Sequence, residues 1–204
     1  MTFRTEQEAF WAGQFGTDYI ARNGDELLPF RIRHLARIME ATSGIRSMIE
    51  LGANIGLNIR ALQAVAPGIE CFAVEVNAAA CERLRAIGGV EVLQRSILDF
   101  QPARTWDLVL VKGVLIHIDP VELPRVYDLI YRSAGRYIVL DEYFNPSPVE
   151  VLYRGHKGKL FKRDFAGELM DAHPDLRLVD YGFAWRRDPE LREDDTTWFL
   201  LEKR

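Results

Sequence analysis

Apolar positions recur along the chain at two different spacings, and the change between them falls near residue 46. Before that point Leu28, Ile32, Leu35, Ala36 and Met39 repeat at helical spacing, giving one apolar face. Thr5 and Glu8 make a capping box ahead of Phe10 and Trp11, so the first 45 residues are expected to be helical, with Gly44 ending the second helix. Beyond residue 46 short apolar runs alternate with helical stretches. The predicted strands are SMIEL (47–51), CFAVEV (71–76), VEVLQ (90–94), WDLVLV (106–111) and YIVLDE (137–142). The predicted helices lie near 57–66, 78–87 and 120–134, the last opened by Asp119, Pro120 and Glu122 and closed by Gly135.

Strands this apolar need cover on both faces, which means a mostly parallel sheet with helices above and below, a doubly wound α/β fold. The end of the chain departs from the alternation. LRLVDYGFAWRR (176–187) and TTWFLLEK (196–203) are strands with only the polar, turn-like DPELREDD between them, so they should pair as an antiparallel hairpin at one sheet edge. Seven strands in all are expected.

Composition narrows the class. A chain of 204 residues with 48% hydrophobic and 27% charged residues fits one domain of ordinary size. Its net charge of −4 argues against a dedicated nucleic-acid binder. Cys71 falls in a strand and Cys81 in the next helix, which suggests neither a disulfide scaffold nor a metal site. The opening MTFRTEQEAFWAG is no secretory signal, and no apolar stretch nears the roughly 20 residues needed to span a bilayer. The expectation is a soluble, cytoplasmic protein without a metal, a monomer or a homodimer.

The candidate chemistry starts at IELGANIGLN (49–58), where Gly52 and Gly56 bracket a turn that opens a helix. Glu75, 23 residues past Gly52, sits at the tip of the second strand, where a carboxylate accepts hydrogen bonds from ribose hydroxyls. A dinucleotide fingerprint needs glycine where Asn54 stands, and Glu50 brings negative charge where a diphosphate needs the opposite. Both facts fit a cofactor with an adenosine end, a cationic end and no phosphate. S-adenosylmethionine (SAM) is that molecule.

From 46 to 204 the sequence resembles the class I methyltransferases, whose Rossmann-like fold carries such a closing hairpin. IELGANIGLN matches their first motif through Glu50, Gly52, Asn54 and Gly56, and VEVN (74–77) their ribose-binding acid, with Glu75, Val76 and Asn77. RSILDF (95–100) places Ser96 and Ile97 beside adenine. LVKGVLIHI (110–118) looks like the segment under the methionine moiety, giving Lys112, Gly113 and His117; Lys112 departs from the acidic or asparagine residue common there.

FWAGQFGTDYIARN (10–23) together with EYFNPSPVEVLYRGHKGKLFKRDFAGELM (142–170) resembles, more narrowly, the pseudaminic acid biosynthesis-associated methylases. That resemblance implies a nonulosonic-acid or nucleotide-sugar acceptor. It makes residues 1–45 a helical lid with Phe15, Gly16, Tyr19, Arg22 and Asn23 over the cofactor, and 46–142 the cofactor-binding core. Residues 143–175 become the acceptor segment, with Tyr143, Asn145, Tyr153, Arg154, His156, Lys159, Lys162 and Arg163 lining its pocket, and 176–204 the closing hairpin. The residues agree, since a basic cluster in an acidic chain suits a small anionic acceptor. His156 is the first candidate base because imidazole titrates near neutrality, with Glu142 and Asp141 as rivals. Three other readings stand beside this one: another carboxylate or phosphate acceptor, a catalytically silent SAM-binding module, and a nicotinamide oxidoreductase.

Overall fold

The computed structural model describes residues 3–204. Three helices come first, α1 (Glu6–Ala12), α2 (Gln14–Ile20) and α3 (Leu28–Met39), the third preceded by a 3-10 turn at Asp25–Leu27. The alternating core follows as β1 (Ser47–Leu51), α4 (Leu57–Val65), β2 (Glu70–Glu75), α5 (Ala78–Arg85) and β3 (Val90–Gln94). It continues through β4 (Trp106–Lys112), a 3-10 turn at Leu115–His117, α6 (Leu123–Ser133) and β5 (Ala134–Glu142). A two-residue hairpin, β6 (Val149–Glu150) and β7 (Phe161–Lys162), leads to α7 (Phe165–Ala172) and the closing strands β8 (Leu176–Ala184) and β9 (Thr196–Lys203).

The seven-stranded sheet has the order β3-β2-β1-β4-β5-β9-β8. Its first five strands are parallel, and β9 runs antiparallel to both β5 and β8. Successive strand side chains point to opposite faces, so each apolar run feeds two cores. Met48, Leu108, Leu110 and Val139 pack with Leu35 and Ile38 of α3, Ile59 and Leu62 of α4, and Leu84 of α5. Ile49, Leu51, Val109, Val111 and Leu140 pack with Val126 and Ile130 of α6 and with Phe165 and Leu169 of α7. Strand order reverses between β1 and β4, which opens a crevice above their carboxyl ends.

Local signals set most boundaries. The capping box forms as expected: Glu8 N donates to Thr5 Oγ1 at 3.2 Å, and Thr5 N donates back to Glu8 Oε2 at 3.0 Å. The signals assigned to α6 do something else. Asp119 accepts from Val121 N at 3.0 Å and closes a turn ahead of the helix, which starts at Leu123. Gly135 is no stop; Ala134 ends the helix and at once pairs with Trp106, so the chain passes straight into β5. Likewise α3 ends at Met39, and Gly44 with φ of +68° lies beyond it in the connection to β1. Helix α7 and the β6–β7 hairpin arise within the segment read only as acceptor loop; Asp164 caps α7 by accepting from Gly167 N at 2.9 Å. Among the described residues no helix is long and apolar enough to cross a membrane, and no group of His, Cys, Asp and Glu side chains is arranged to hold a metal.

Candidate active site

The site begins where β1 ends. Gly52, Asn54 and Gly56 have φ of +80°, +47° and +80°, and these left-handed residues swing the chain from strand into α4. A Cβ on Gly52 would lie 2.6 Å from Val114 Cγ2, and one on Gly56 2.5 Å from Ile87 Cδ1, so close packing adds to the conformational demand. Position 54 needs the same backbone region but not the same space. Asparagine is among the side chains that tolerate it.

Glu75 ties this turn to the next one. Its Oε2 accepts from Asn54 N at 2.8 Å and its Oε1 from Asn77 N at 2.7 Å, so a single carboxylate at the tip of β2 joins the glycine turn to the start of α5. Burial pushes the Glu75 carboxyl up, opposed by the N–H groups of Asn77, Asn54 and Val76. Asn77 caps α5 by accepting from Ala80 N at 3.1 Å.

Above these turns lies a cavity of about 320 Å³. Gly52, Asn54, Glu75, Val76 and Asn77 line one side, with Ser96 and Ile97 beside them. Lys112, Gly113 and His117 form the wall after β4. Trp11, Gly16 and Tyr19 of the N-terminal helices, with Asn23 just after α2, lie across it, and Tyr143, Tyr153 and Arg154 close the far end. Tyr153 and His156 exchange backbone hydrogen bonds of 2.9 and 2.8 Å, while Arg154 and Gly155 between them have φ of +49° and +84°. Two positive angles in a two-residue loop make a type I′ hairpin whose tip carries Arg154. His117 Nδ1 lies 2.6 Å from the Lys159 carbonyl, to which it can only donate, so Nε2 holds the lone pair. Burial lowers His117 to about 4 and keeps it neutral.

The wall also holds residues that the sequence did not single out, among them Arg31, Glu193, Asp194 and Thr196. Arg31 pairs with Glu193, Glu193 lies 3.2 Å from Lys112 Nζ, Lys112 pairs with Asp141, and Asp141 Oδ2 lies 2.8 Å from His34 Nε2. Five side chains of α3, β4, β5 and the β8–β9 loop thus form one polar chain, in which Lys112 stands between two carboxylates, and this accounts for a lysine at the end of β4. Tyr143 Oη donates to Asp194 Oδ2 at 2.8 Å, and burial with this carboxylate pushes the phenol up. Burial, Tyr153 and Asp194 raise Tyr19 as well. A signal for the loop was present. In a closing hairpin whose second strand is antiparallel to β5, the first strand runs with β5, so DPELREDD must emerge at the carboxyl edge.

No family model matches the sequence, and no curated protein matches it. Solved structures do. A SAM-dependent methyltransferase from Leishmania major superposes with a TM-score of 0.74 at 15% identity, covering 96% of this chain and 81% of that one. The 1,6-didemethyltoxoflavin-N1-methyltransferase of Burkholderia thailandensis, solved with 1,6-didemethyltoxoflavin and S-adenosylhomocysteine (SAH), gives 0.72 at 16% identity over 100% of this chain and 91% of that one. The plantazolicin methyltransferase, also in complex with SAH, gives 0.64 at 11% identity, over 97% and 93%. This is the Rossmann-like methyltransferase fold.

Within the methyltransferase fold the remaining sequence-derived candidates take positions off the cavity wall. Glu50 is buried beneath the glycine turn, where Oε1 accepts from Asn58 Nδ2 at 2.6 Å and Oε2 has no partner. Burial raises Glu50 to about 8. Gly56 sets the start of α4. Phe15 stacks on Phe10 at 4.0 Å, and Arg22 lies 5.6 Å from the Tyr19 ring. Asn145 donates to the Ser147 carbonyl at 2.6 Å.

The candidate bases and most of the basic cluster are engaged elsewhere. His156 packs its ring 5.0 Å from Phe10 and 5.5 Å from Phe15, outside the cavity. Glu142 turns under the 3-10 turn and accepts from Val114 N and Leu115 N, each at 2.9 Å, while burial raises it to about 8. Asp141 is locked between Lys112 and His34. Lys159 Nζ is 3.2 Å from Glu6 and Arg163 Nε 2.8 Å from Glu168, while Lys162 lies 5.0 Å from the Tyr143 ring. Adjacent residues of an irregular segment point in different directions, so of Arg154, Lys157, Lys159, Lys162 and Arg163 only Arg154 lines the cavity.

Proposed function

We propose that this protein is a SAM-dependent methyltransferase acting on a small acceptor that carries an acidic group. The observation that carries the reading is the Glu75 carboxylate at the strand tip, held by two backbone N–H groups and facing a cavity on the methyltransferase fold. The residues present fit the cofactor. Glu75 keeps lone pairs for ribose hydroxyls, Ser96 and Ile97 would flank adenine, and Glu50, whose second oxygen beneath the turn has no partner, would ionise in favour of a cationic ligand. When bound, SAM supplies a methyl group on a positive sulfur. The chain's part is to position the nucleophile and shed water. Tyr19, Tyr143, Tyr153 and Asp194 wall the acceptor end, and His117 Nε2 offers a neutral acceptor for the proton of an acceptor group. Arg154 is left to meet the acid of a nonulosonic acid or nucleotide sugar, the class the sequence resemblance suggests.

Calorimetry with SAH and NAD, followed by label transfer from SAM to a panel of acidic sugars and other carboxylates, tests this. Binding of SAH but not NAD is expected; the reverse result ends the proposal. Arg154→Ala should raise acceptor KM about 10-fold to 100-fold, the size of a lost charge-assisted contact, and leave SAH affinity within about twofold.

Glu50 adds a pH dependence. With its value raised to about 8, it is mostly protonated in the free protein at neutrality, and a cationic ligand favours the ionised form. Binding then releases a proton, so SAM affinity climbs as pH rises toward 8. Calorimetry in buffers of different ionisation heat should show release approaching about one proton at pH 7, absent in Glu50→Gln.

A further inference from the structure

Asn77 does more than cap α5. Its side chain is 4% exposed, and its two ends do separate work. Oδ1 accepts from Ala80 N at 3.1 Å and starts α5. Nδ2 faces the other way, toward the N-terminal helices, with the Trp11 carbonyl at 3.2 Å, the Gly13 carbonyl at 3.4 Å and Thr17 Oγ1 at 3.1 Å. These partners span the joint between α1 and α2, and Trp11, Gly16 and Tyr19 around that joint line the cavity. Gly16 shows that the approach is built for closeness. A Cβ there would overlap the Trp11 carbonyl and come within 3.1 Å of Asn77 Nδ2.

We propose that Asn77 is a positioning residue that latches the α1–α2 segment over the cofactor, and that Glu75 couples this latch to the ribose site. The coupling is a continuous hydrogen-bonded path. Asn54 N donates to Glu75, Asn77 N donates to the other oxygen of the same carboxylate, and the Asn77 amide donates to the helical joint. A ligand that fixes the Glu75 carboxylate fixes the backbone of Asn77, and so the direction in which Nδ2 points. At its outer side the segment is held by Gln7 Nε2, which donates to the Gly158 carbonyl at 2.9 Å, by Lys159 Nζ at 3.2 Å from Glu6, and by the exposed pair Arg4–Asp99 just ahead of α1. Among the described residues, the hydrogen bonds between the segment and the cofactor-binding turns are those of the Asn77 amide, beside the packing of the Trp11 ring 4.5 Å from that of His117.

The coupling rests on the reading of the cavity as a SAM site; the latch itself does not. Asn77→Asp tests it cleanly, because a carboxylate keeps the α5 cap while it removes the donor and faces two carbonyl oxygens. Hydrogen exchange of the ligand-free protein should show faster exchange in residues 6–20, with 78–85 as protected as in the wild type. SAH should dissociate about tenfold faster, the change expected for about one net hydrogen bond lost from the closed state alone. Thr17→Val, which removes one of three partners, should move both readouts in the same direction by less. Unchanged exchange in 6–20, or equal loss of protection in 78–85, would overturn the latch. If the wild type binds no SAH, the cofactor reading falls, and exchange in the free protein still decides the latch. Exchange that changes without any change in SAH dissociation would overturn the coupling.

Discussion

Glu75→Ala is expected to lower SAH affinity about 100-fold or more and to destabilise the fold by about 2–4 kcal/mol. The size comes from what one carboxylate holds. Its removal strands the N–H groups of Asn54 and Asn77, both otherwise satisfied at 2.8 and 2.7 Å, and a buried donor without a partner costs about 1–3 kcal/mol. The ribose contacts go with it. Glu75→Gln should fall between, since the amide retains one accepting oxygen and presents a donor to an N–H group that needs an acceptor. Calorimetry with SAH and thermal unfolding measure the two losses separately. Affinity that survives Glu75→Ala would remove the ribose site from this cavity.

The second large effect is expected at the end of β4. Lys112→Met should destabilise the protein by about 3–5 kcal/mol, because it leaves carboxylates buried without their cation. Asp141 is fully buried and Glu193 nearly so. Burial pushes Asp141 up, yet Lys112 and His34 outweigh it and hold the carboxyl well below the usual range. In the wild type that stabilisation is present above the ordinary carboxylate value and is lost only as pH falls through the depressed one. Without Lys112 the sign reverses. Asp141 should rise above its unfolded value, so the variant loses stability as pH climbs, and its deficit should be larger at pH 8 than at pH 5. Denaturant unfolding at both values checks this. Lys112→Met combined with Asp141→Leu should recover much of the loss, since a buried pair replaced as a whole costs less than one broken in half.

What surrounds the candidate base positions was not legible in the sequence. Asp141 and Glu142 stand at a strand tip, where catalytic acids are often placed. The first is spent on Lys112 and His34, and the second on the amides of the 3-10 turn at Leu115–His117. Both uses depend on neighbours in space. His156 shows the same limit: it follows a hairpin tip whose twist delivers Arg154 to the cavity and leaves the imidazole against Phe10 and Phe15.

The alternation of strands and helices, the reversed last strand, and the elements that meet at the turn from Gly52 to Gly56 and at Glu75 were legible in the order of residues. Each of these rests on a short-range quantity: a hydrophobic period, a backbone angle that few residues adopt, or the length of one β–α unit. Helix α7 and the boundaries of α6 were less legible, because aspartate and proline serve a turn or a cap alike, as Asp119 and Asp164 do. That Arg31 and Glu193, 162 residues apart, share the wall, that Lys112 belongs to Asp141, and that Arg154 is the one cation of its run to reach the cavity depend on the folded chain. A long charged side chain takes whichever partner the packing brings within reach, and that choice is written in the assembled fold rather than in any local stretch of chain.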